Sequence, residues 1–315
     1  MKLLPRKMTK RHWLLAVVLL PLVGLSLVFA GFIWFGSSRQ AAGLNDDFND
    51  VALEQVLAFA ERANSAYHEA ETFRKEYGTE IEAGEFSGSG LRVYVDHNPA
   101  GKAQWVVLRG TANLKNIVDD LEFVGRGEHE LGINVHSGFD AALQECLPWI
   151  LPRLDKERPV WVTGHSLGGA VAALLVATLD HRGFKEVSGI TFGQPKFTDA
   201  HGVGKLAHLK IIRIVHDEDP IPMLPPVALE GNGIALYHHC GPEVIVSASG
   251  HFRFLPEHEA DRMVVTEIWQ DIENIRPLFH DMVKGYLPAL KGALSLTPHH
   301  SFSRPTNPAP KPLTP

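Results

Sequence analysis

The chain has 315 residues, 45% of them hydrophobic and 21% charged, and a formal charge of −6. This composition supports a globular chain able to bury a large core, and its acidic balance excludes nucleic acid as a general partner. The two cysteines, Cys146 and Cys240, are too few for a disulfide framework or, alone, for a zinc site; they read as two separate buried thiols, with one bridge in an oxidising compartment as the alternative.

Residues 1–12 are basic, with Lys2, Arg6, Lys7, Lys10 and Arg11 ahead of an uncharged run from Trp13 to Phe35. That run is about the length a helix needs to cross a bilayer, and Trp13 and Trp34 stand near its ends as interfacial residues do. Pro21 is tolerable in such a helix. The expectation is a transmembrane signal-anchor helix over 13–35, with the N-terminus cytoplasmic and the remainder periplasmic or extracellular by the charge asymmetry. The competing reading is a signal peptide cleaved after Val28-Phe29-Ala30, which would leave the apolar start "GFIWF".

Residues 36–45, "GSSRQAAGLN", form a linker. From Asp46 to about Ala70 the apolar residues recur at three- and four-residue spacing, as in a helix. "GLRVYVDHN" and "AQWVVLRGT" predict two strands joined by the turn "NPAGK". In "ANLKNIVDDLEFV", residues 112–124, Leu114, Ile117, Val118, Leu121 and Val124 share one helical face. A helix follows Gly138. "PVWVTG" is a strand, residues 167–181 a helix stopped by Gly183, and "VSGITFG" and "LKIIRIVH" two more strands. "GIALYHH" and "EVIVSAS", on either side of Gly241-Pro242, suggest an antiparallel hairpin. Residues 258–294 read as helical, with breaks near Pro277 and Pro288, and 296–315 as a Pro-rich disordered tail. Helical patterns between the central strands predict an α/β fold, a mostly parallel central sheet covered by helices.

Within "VWVTGHSLGGAVAALLVA", the stretch Gly164-His165-Ser166-Leu167-Gly168 matches G-x-S-x-G between a strand and a helix. A turn that sharp holds its serine in a strained conformation and needs small flanking residues. It projects the hydroxyl at the N-terminus of the next helix, which favours developing negative charge. A serine needs a base, and the base an orienting carboxylate, in the chain order serine, acid, histidine. Asp217 and Asp219, just past the strand "LKIIRIVH", are both placed for the acid. His238, His239, His251, His258 and His280 all follow, and position alone does not choose among them; His299 and His300 fall in the tail.

Several further segments accompany the elbow: "LRGT" at 108–111, "VHSGF" at 135–139, "TFGQPKF" at 191–197, "DPIPMLPP" at 219–226 and "FHDMVKGY" at 279–286. Together with "GHSLGGAVAALL" they resemble the class 3 (fungal-type) lipase family, a branch of the α/β-hydrolases, over much of residues 46–290. The resemblance implies an α/β-hydrolase domain over residues 46–295. It aligns Asp219 with the family acid and His280 with the family base, and makes Asp217 the weaker candidate. His239, in "YHHCGPE", matches a position that is usually structural. The oxyanion donors it implies are the backbone N–H groups of Leu167 and Thr111. Arg109 reads as a structural ion-pair partner more than a substrate clamp. Residues 112–124 lie where family members carry a lid; a mobile lid and a helix packed permanently on the body have the same spacing. The expected activity is hydrolysis of carboxylic esters of lipids by a membrane-anchored enzyme, with a lipid or ester substrate, no metal and no cofactor. A phospholipase or non-lipid esterase with the same triad is the alternative, and a silent anchored binding protein the reading from another class.

Overall fold

The β-branched and aromatic runs of the sequence assemble, in a computed structural model, into one eight-stranded sheet whose strands lie side by side in chain order. They are β1 (Glu82–Phe86), β2 (Leu91–Asp96), β3 (Gln104–Arg109), β4 (Val160–His165), β5 (Val187–Phe192), β6 (Lys210–His216), β7 (Glu243–Val246) and β8 (Phe252–Leu255). The structure describes residues 49–78, 80–97, 103–110, 126–128, 130–217, 219–225, 227–230, 233–255, 280–298 and 301–304. Strands β3 to β7 run parallel. The pairs β1–β2, β2–β3 and β7–β8 are antiparallel. The helix expected over 13–35 and the linker at 36–45 lie outside the described residues. Among the described residues no helix is long and apolar enough to cross a membrane.

Both faces of the sheet are covered, which is why its central strands are nearly continuous in apolar residues. Helices α1 (Leu53–Ser65) and α2 (Ala70–Tyr77) precede the sheet. Helix α3 (Ser137–Ile150) joins β3 to β4, α4 (Leu167–His181) joins β4 to β5, and α5 (Ala200–Leu206) joins β5 to β6. Helix α6 (Leu287–Leu296) comes near the end. Along β3 the side chains alternate: Val106 and Leu108 enter a core with α3 and α4, while Trp105 and Val107 enter a second core with α1 and α6. Helix α1 is amphipathic and buries Leu53, Val56, Phe59, Ala60 and Ala63. Helix α4 is buried from Gly168 through Leu179, as a helix apolar all round must be. Its one interior hydroxyl, Thr178, donates back to the Leu174 carbonyl at 2.9 Å, a bond that satisfies it without an outside partner.

Four expectations are corrected. "GIALYHH" and "EVIVSAS" do not pair with each other. Gly233–Leu236 pairs with Val227–Glu230, and β7 instead lies parallel to β6. The reason is a buried ion pair in that register: Arg213 Nη1 donates to Glu243 Oε2 at 2.8 Å, and leaving either charge alone in the core would be costly. Pro288 does not break a helix but sits in the first turn of α6, where its missing N–H costs nothing. Ser301–Arg304, assigned by sequence to the tail, pairs antiparallel with Asn49–Ala52, so the folded body runs past residue 295. That pairing also makes residues 49–52 a strand, with the helix starting only at Leu53. The strand β1, "EAGEF", carried too little apolar character to be read from sequence.

His136 ends the short strand Asn134–His136 at the start of α3. Its ring stacks on Phe139 at 4.3 Å between centroids. Neither ring nitrogen has a hydrogen-bond partner, and burial lowers its pKa from 6.5 to about 4. The unfolded chain takes up a proton below about 6.5 that the folded one refuses, so stability is lost as pH falls from about 6.5 toward 4. The loss on this account is on the order of 3 kcal/mol at most. His136→Phe keeps the stack and removes the titration. Urea unfolding at pH 7 and pH 4.5 should show a smaller acid loss in the variant; parallel losses would refute the burial account.

Candidate active site

The site is built where β4 stops. Ser166 follows the strand directly, caps α4, and is held at φ 61°, ψ −131°. Among the described residues it alone has a positive φ without being glycine. Such a conformation costs of order 1–3 kcal/mol and persists only where the surroundings impose it. Here they do. Ser166 N–H donates to the Phe192 carbonyl at the end of β5, at 2.9 Å, and its own carbonyl accepts from Gly169 N–H at 2.8 Å. A Cβ on Gly164 would stand 2.3 Å from the Gly168 carbonyl oxygen, one on Gly168 2.4 Å from the Leu108 oxygen, and one on Gly110 2.6 Å from the His165 oxygen. The end of β3 is thus pressed against the elbow. Gly110 faces the Leu167 N–H, so the two segments expected to supply oxyanion donors adjoin. Thr111 itself, and residues 112–124, lie outside the described residues.

The structure brings His280 and Asp219 together. His280 Nδ1 lies 2.8 Å from Asp219 Oδ2, and both residues are buried. Tyr286 donates its hydroxyl to the same oxygen at 2.5 Å, and Ile221 N–H donates to Oδ1 at 2.9 Å. Burial and the neighbouring carboxylate push the Tyr286 hydroxyl well above its usual pKa, so it stays a proton donor. Beneath the pair lies Gly193, at φ +53°. A Cβ there would come within 2.8 Å of Asp219 Oδ2 and 2.9 Å of His280 Cε1. Ser166 Oγ, His280 Nε2 and His165 Nε2 are buried at this point without a hydrogen-bond partner. A buried hydroxyl left without a bond is the state that a reacting partner relieves.

Asp217 is turned elsewhere. Its side chain is partly exposed, 3.3 Å from His216 Nδ1, and its N–H donates to the Val246 carbonyl at 2.9 Å. Of the other histidines, His251 bonds Ser249 at the surface, and His258 lies outside the described residues. His239 Nε2 stands 2.6 Å from the Pro222 carbonyl. Burial, then Arg213 and Lys196, hold it well below the usual histidine pKa, so the neutral ring donates there and steadies the turn after Asp219. Arg109 Nη2 donates to the Gly90 carbonyl at 3.0 Å, a backbone partner where an ion pair was expected.

Tyr67 and His165 are not among the site residues expected from sequence; Gly193 stands there only within "TFGQPKF", and Tyr286 as the tyrosine that follows the histidine in "FHDMVKGY". Tyr67 Oη lies 2.8 Å from His165 Nδ1, and the His165 ring packs on that of His280 at 4.3 Å. The positive φ of Gly193 had no signal beyond its being glycine. The second residue of G-x-S-x-G is formally free, so His165 carried no signal either.

Residues 105–229 match the family described as Lipase (class 3). The chain is 32% identical over 166 residues to a secreted mono- and diacylglycerol lipase 1 of Fusarium solani, covering 49% of this chain and 47% of that protein. It is 32% identical over 169 residues to lipase A of Sodiomyces alcalophilus, covering 40% of each. The alignments thus span less than half the length of these curated relatives. Among solved structures, the triacylglyceride lipase of Rhizomucor miehei superposes with a TM-score of 0.56 at 21% identity, over 75% of this chain and 96% of that one. At that identity the likeness bears on the fold alone.

The close approach at the elbow makes a contrast that can be measured. Gly168→Ala would put its Cβ against the backbone of residues 108–110, with no flexible side chain to yield. It should lower stability by about 2 kcal/mol or more. Gly204→Ala, whose Cβ meets nothing within 4 Å, should leave the thermal midpoint unchanged or raise it slightly. Equal midpoints for the two variants would contradict the packing described.

Proposed function

We propose that the chain is a class 3 lipase on the α/β-hydrolase fold and a serine hydrolase cleaving carboxylic esters of lipids; the match of residues 105–229 to that family and the likeness of fold support this. One observation carries the reading. His280 has its Nδ1 held by a buried carboxylate at 2.8 Å, while its Nε2 and the Ser166 hydroxyl are both buried and unpartnered. Ser166 and His280 are not hydrogen-bonded to each other here, as in many apo sites; the oriented ring and the strained serine at the elbow are what support the reading.

Ser166 Oγ attacks the ester carbonyl and passes its proton to His280 Nε2. Asp219 keeps the Nδ1–H tautomer and stabilises the imidazolium, and the Tyr286 and Ile221 donors hold Asp219 in place. The tetrahedral oxyanion forms beside the start of α4. There it accepts from the Leu167 and Thr111 N–H groups, in the partial positive charge of the helix end. His280 then returns the proton to the leaving alcohol. In the second half it activates water against the acyl-enzyme.

Residues 13–35 anchor the enzyme in a membrane with its catalytic domain on the periplasmic or extracellular side. The uncharged run behind a basic start supports the anchor; the word secreted in the name of the Fusarium solani relative supports only the extracellular side. The domain begins near residue 46, and the anchor keeps it close to a lipid surface.

The test is hydrolysis of a chain-length series of p-nitrophenyl esters, of triacylglycerol and of phospholipid by the full chain in detergent. Activity on long-chain glycerides is expected, with fluorophosphonate labelling of the serine. Ser166→Ala should lose the label and about 10⁴-fold or more in kcat, and Asp219→Asn about 10⁴-fold with labelling slowed to match. Activity confined to phospholipid would move the substrate to that class. A folded protein with neither activity nor label would leave the silent binding protein.

A further inference from the structure

We propose that Tyr67 and His165 are positioning residues for the base: the Tyr67 hydroxyl fixes His165 in one tautomer, and the neutral His165 ring backs His280 so that it can take the Ser166 proton. This rests on the serine-hydrolase reading above.

Tyr67 follows α1, far in sequence from the elbow, yet its Oη reaches His165 Nδ1 at 2.8 Å. Burial raises the Tyr67 pKa well above its usual value, so the hydroxyl keeps its proton to donate. In the proposed arrangement the Tyr67 hydroxyl donates its proton to Nδ1. The ring proton of His165 must then sit on Nε2. That nitrogen is buried without a partner at full hydrogen-bond geometry, and the His280 backbone lies where it favours a proton on the ring. The His165 and His280 rings are 4.3 Å apart at 35°. His280 is thus bounded on one face by His165, at its Nδ1 edge by Asp219, and underneath by Gly193. Nε2 is the one ring nitrogen left for chemistry.

The neutral state of His165 matters because His280 becomes an imidazolium during the reaction, and a second charge against it would oppose that step. Burial first, then the charge on His280, hold the His165 pKa well below its usual value. The ionisable groups about this cluster are Arg109 and Asp281, which face the Tyr67 hydroxyl, Tyr286, edge-on to His165 at 5.8 Å, His216 beside Tyr286, and Asp219 on His280. Among these, the Tyr67 proton is the group that occupies Nδ1. Without it Nδ1 is open to protonation.

The experiment is the pH dependence of p-nitrophenyl ester hydrolysis by the full chain in detergent, for wild type, Tyr67→Phe, His165→Phe and His165→Ala, with circular dichroism to confirm folding. Tyr67→Phe should keep KM and lose about tenfold in kcat, with the acid limb of the profile moved up by about half a pH unit or more. A packing role alone would lower the rate without moving that limb. His165→Phe keeps a ring against His280 and cannot be protonated. It should show the wild-type acid limb and recover most of the kcat that His165→Ala loses. A folded Tyr67→Phe with wild-type kcat and acid limb would overturn the proposal, as would a His165→Phe no better than His165→Ala; either leaves the hydrolase standing. A folded wild type that neither hydrolyses ester nor takes a fluorophosphonate would overturn the hydrolase and this proposal with it.

Discussion

Where the ends of β3 and β4 meet the start of α4, backbone packs directly on backbone. A Cβ at Gly164 would stand 2.3 Å from the Gly168 oxygen, and one at Gly168 2.4 Å from the Leu108 oxygen. That closeness forces the chain to reverse within one residue, which places Ser166 at φ 61°. It also sets the start of α4 against the end of β3, so that the Leu167 N–H and the residues after Leu108 share one small volume. Strain at the serine persists because the sheet on one side and a wholly buried helix on the other leave it no alternative. The apolar length of α4 is thus part of the site: its burial from Gly168 to Leu179 is what keeps the turn closed.

The second constraint is a buried carboxylate. An ionised group in a core is tolerated only when its oxygens are satisfied, and Asp219 has donors from three places in the chain: Ile221, His280 and Tyr286. Two of them come from one short segment. In an α-helix, residues six apart point in different directions, so His280 and Tyr286 would not meet one acceptor. Asp281 is extended instead, caps the following turn through the Val283 and Lys284 N–H groups, and leads into the π-helical turn Met282–Tyr286. That break in the helix lets both side chains converge on Asp219.

Histidine is used here in two opposite ways. His280 has a buried carboxylate oxygen on its Nδ1. His136, His165 and His239 are kept neutral by burial, and serve as rings that stack or donate to backbone. Taken from sequence, any one histidine of the 17 in the chain looks like a surface residue. Only the environment separates a base from a wedge, since the residue type is the same and the energetic difference lies in desolvation.

The sequence by itself determined what is local. The run from Val160 to Ala177 encodes strand, elbow and helix in contiguous residues, because small flanks and a left-turning serine are properties of neighbours along the chain. The alternation of helical and strand patterns likewise determined an α/β fold with a mostly parallel sheet. What depends on residues distant along the chain was decided by the tertiary structure. Asp217 and Asp219 are equivalent by pattern, and differ because one backs onto β7 at the surface while the other is drawn inside by Tyr286 and His280. The parallel placing of β7 followed from the Arg213–Glu243 pair, which no strand periodicity records. Tyr67 entered the site from the far end of the chain because helix α1 packs over β4. A hydrogen bond across 98 residues leaves no mark on either neighbourhood: its energy depends on two side chains meeting in a space from which water is excluded, and only the folded chain creates that space.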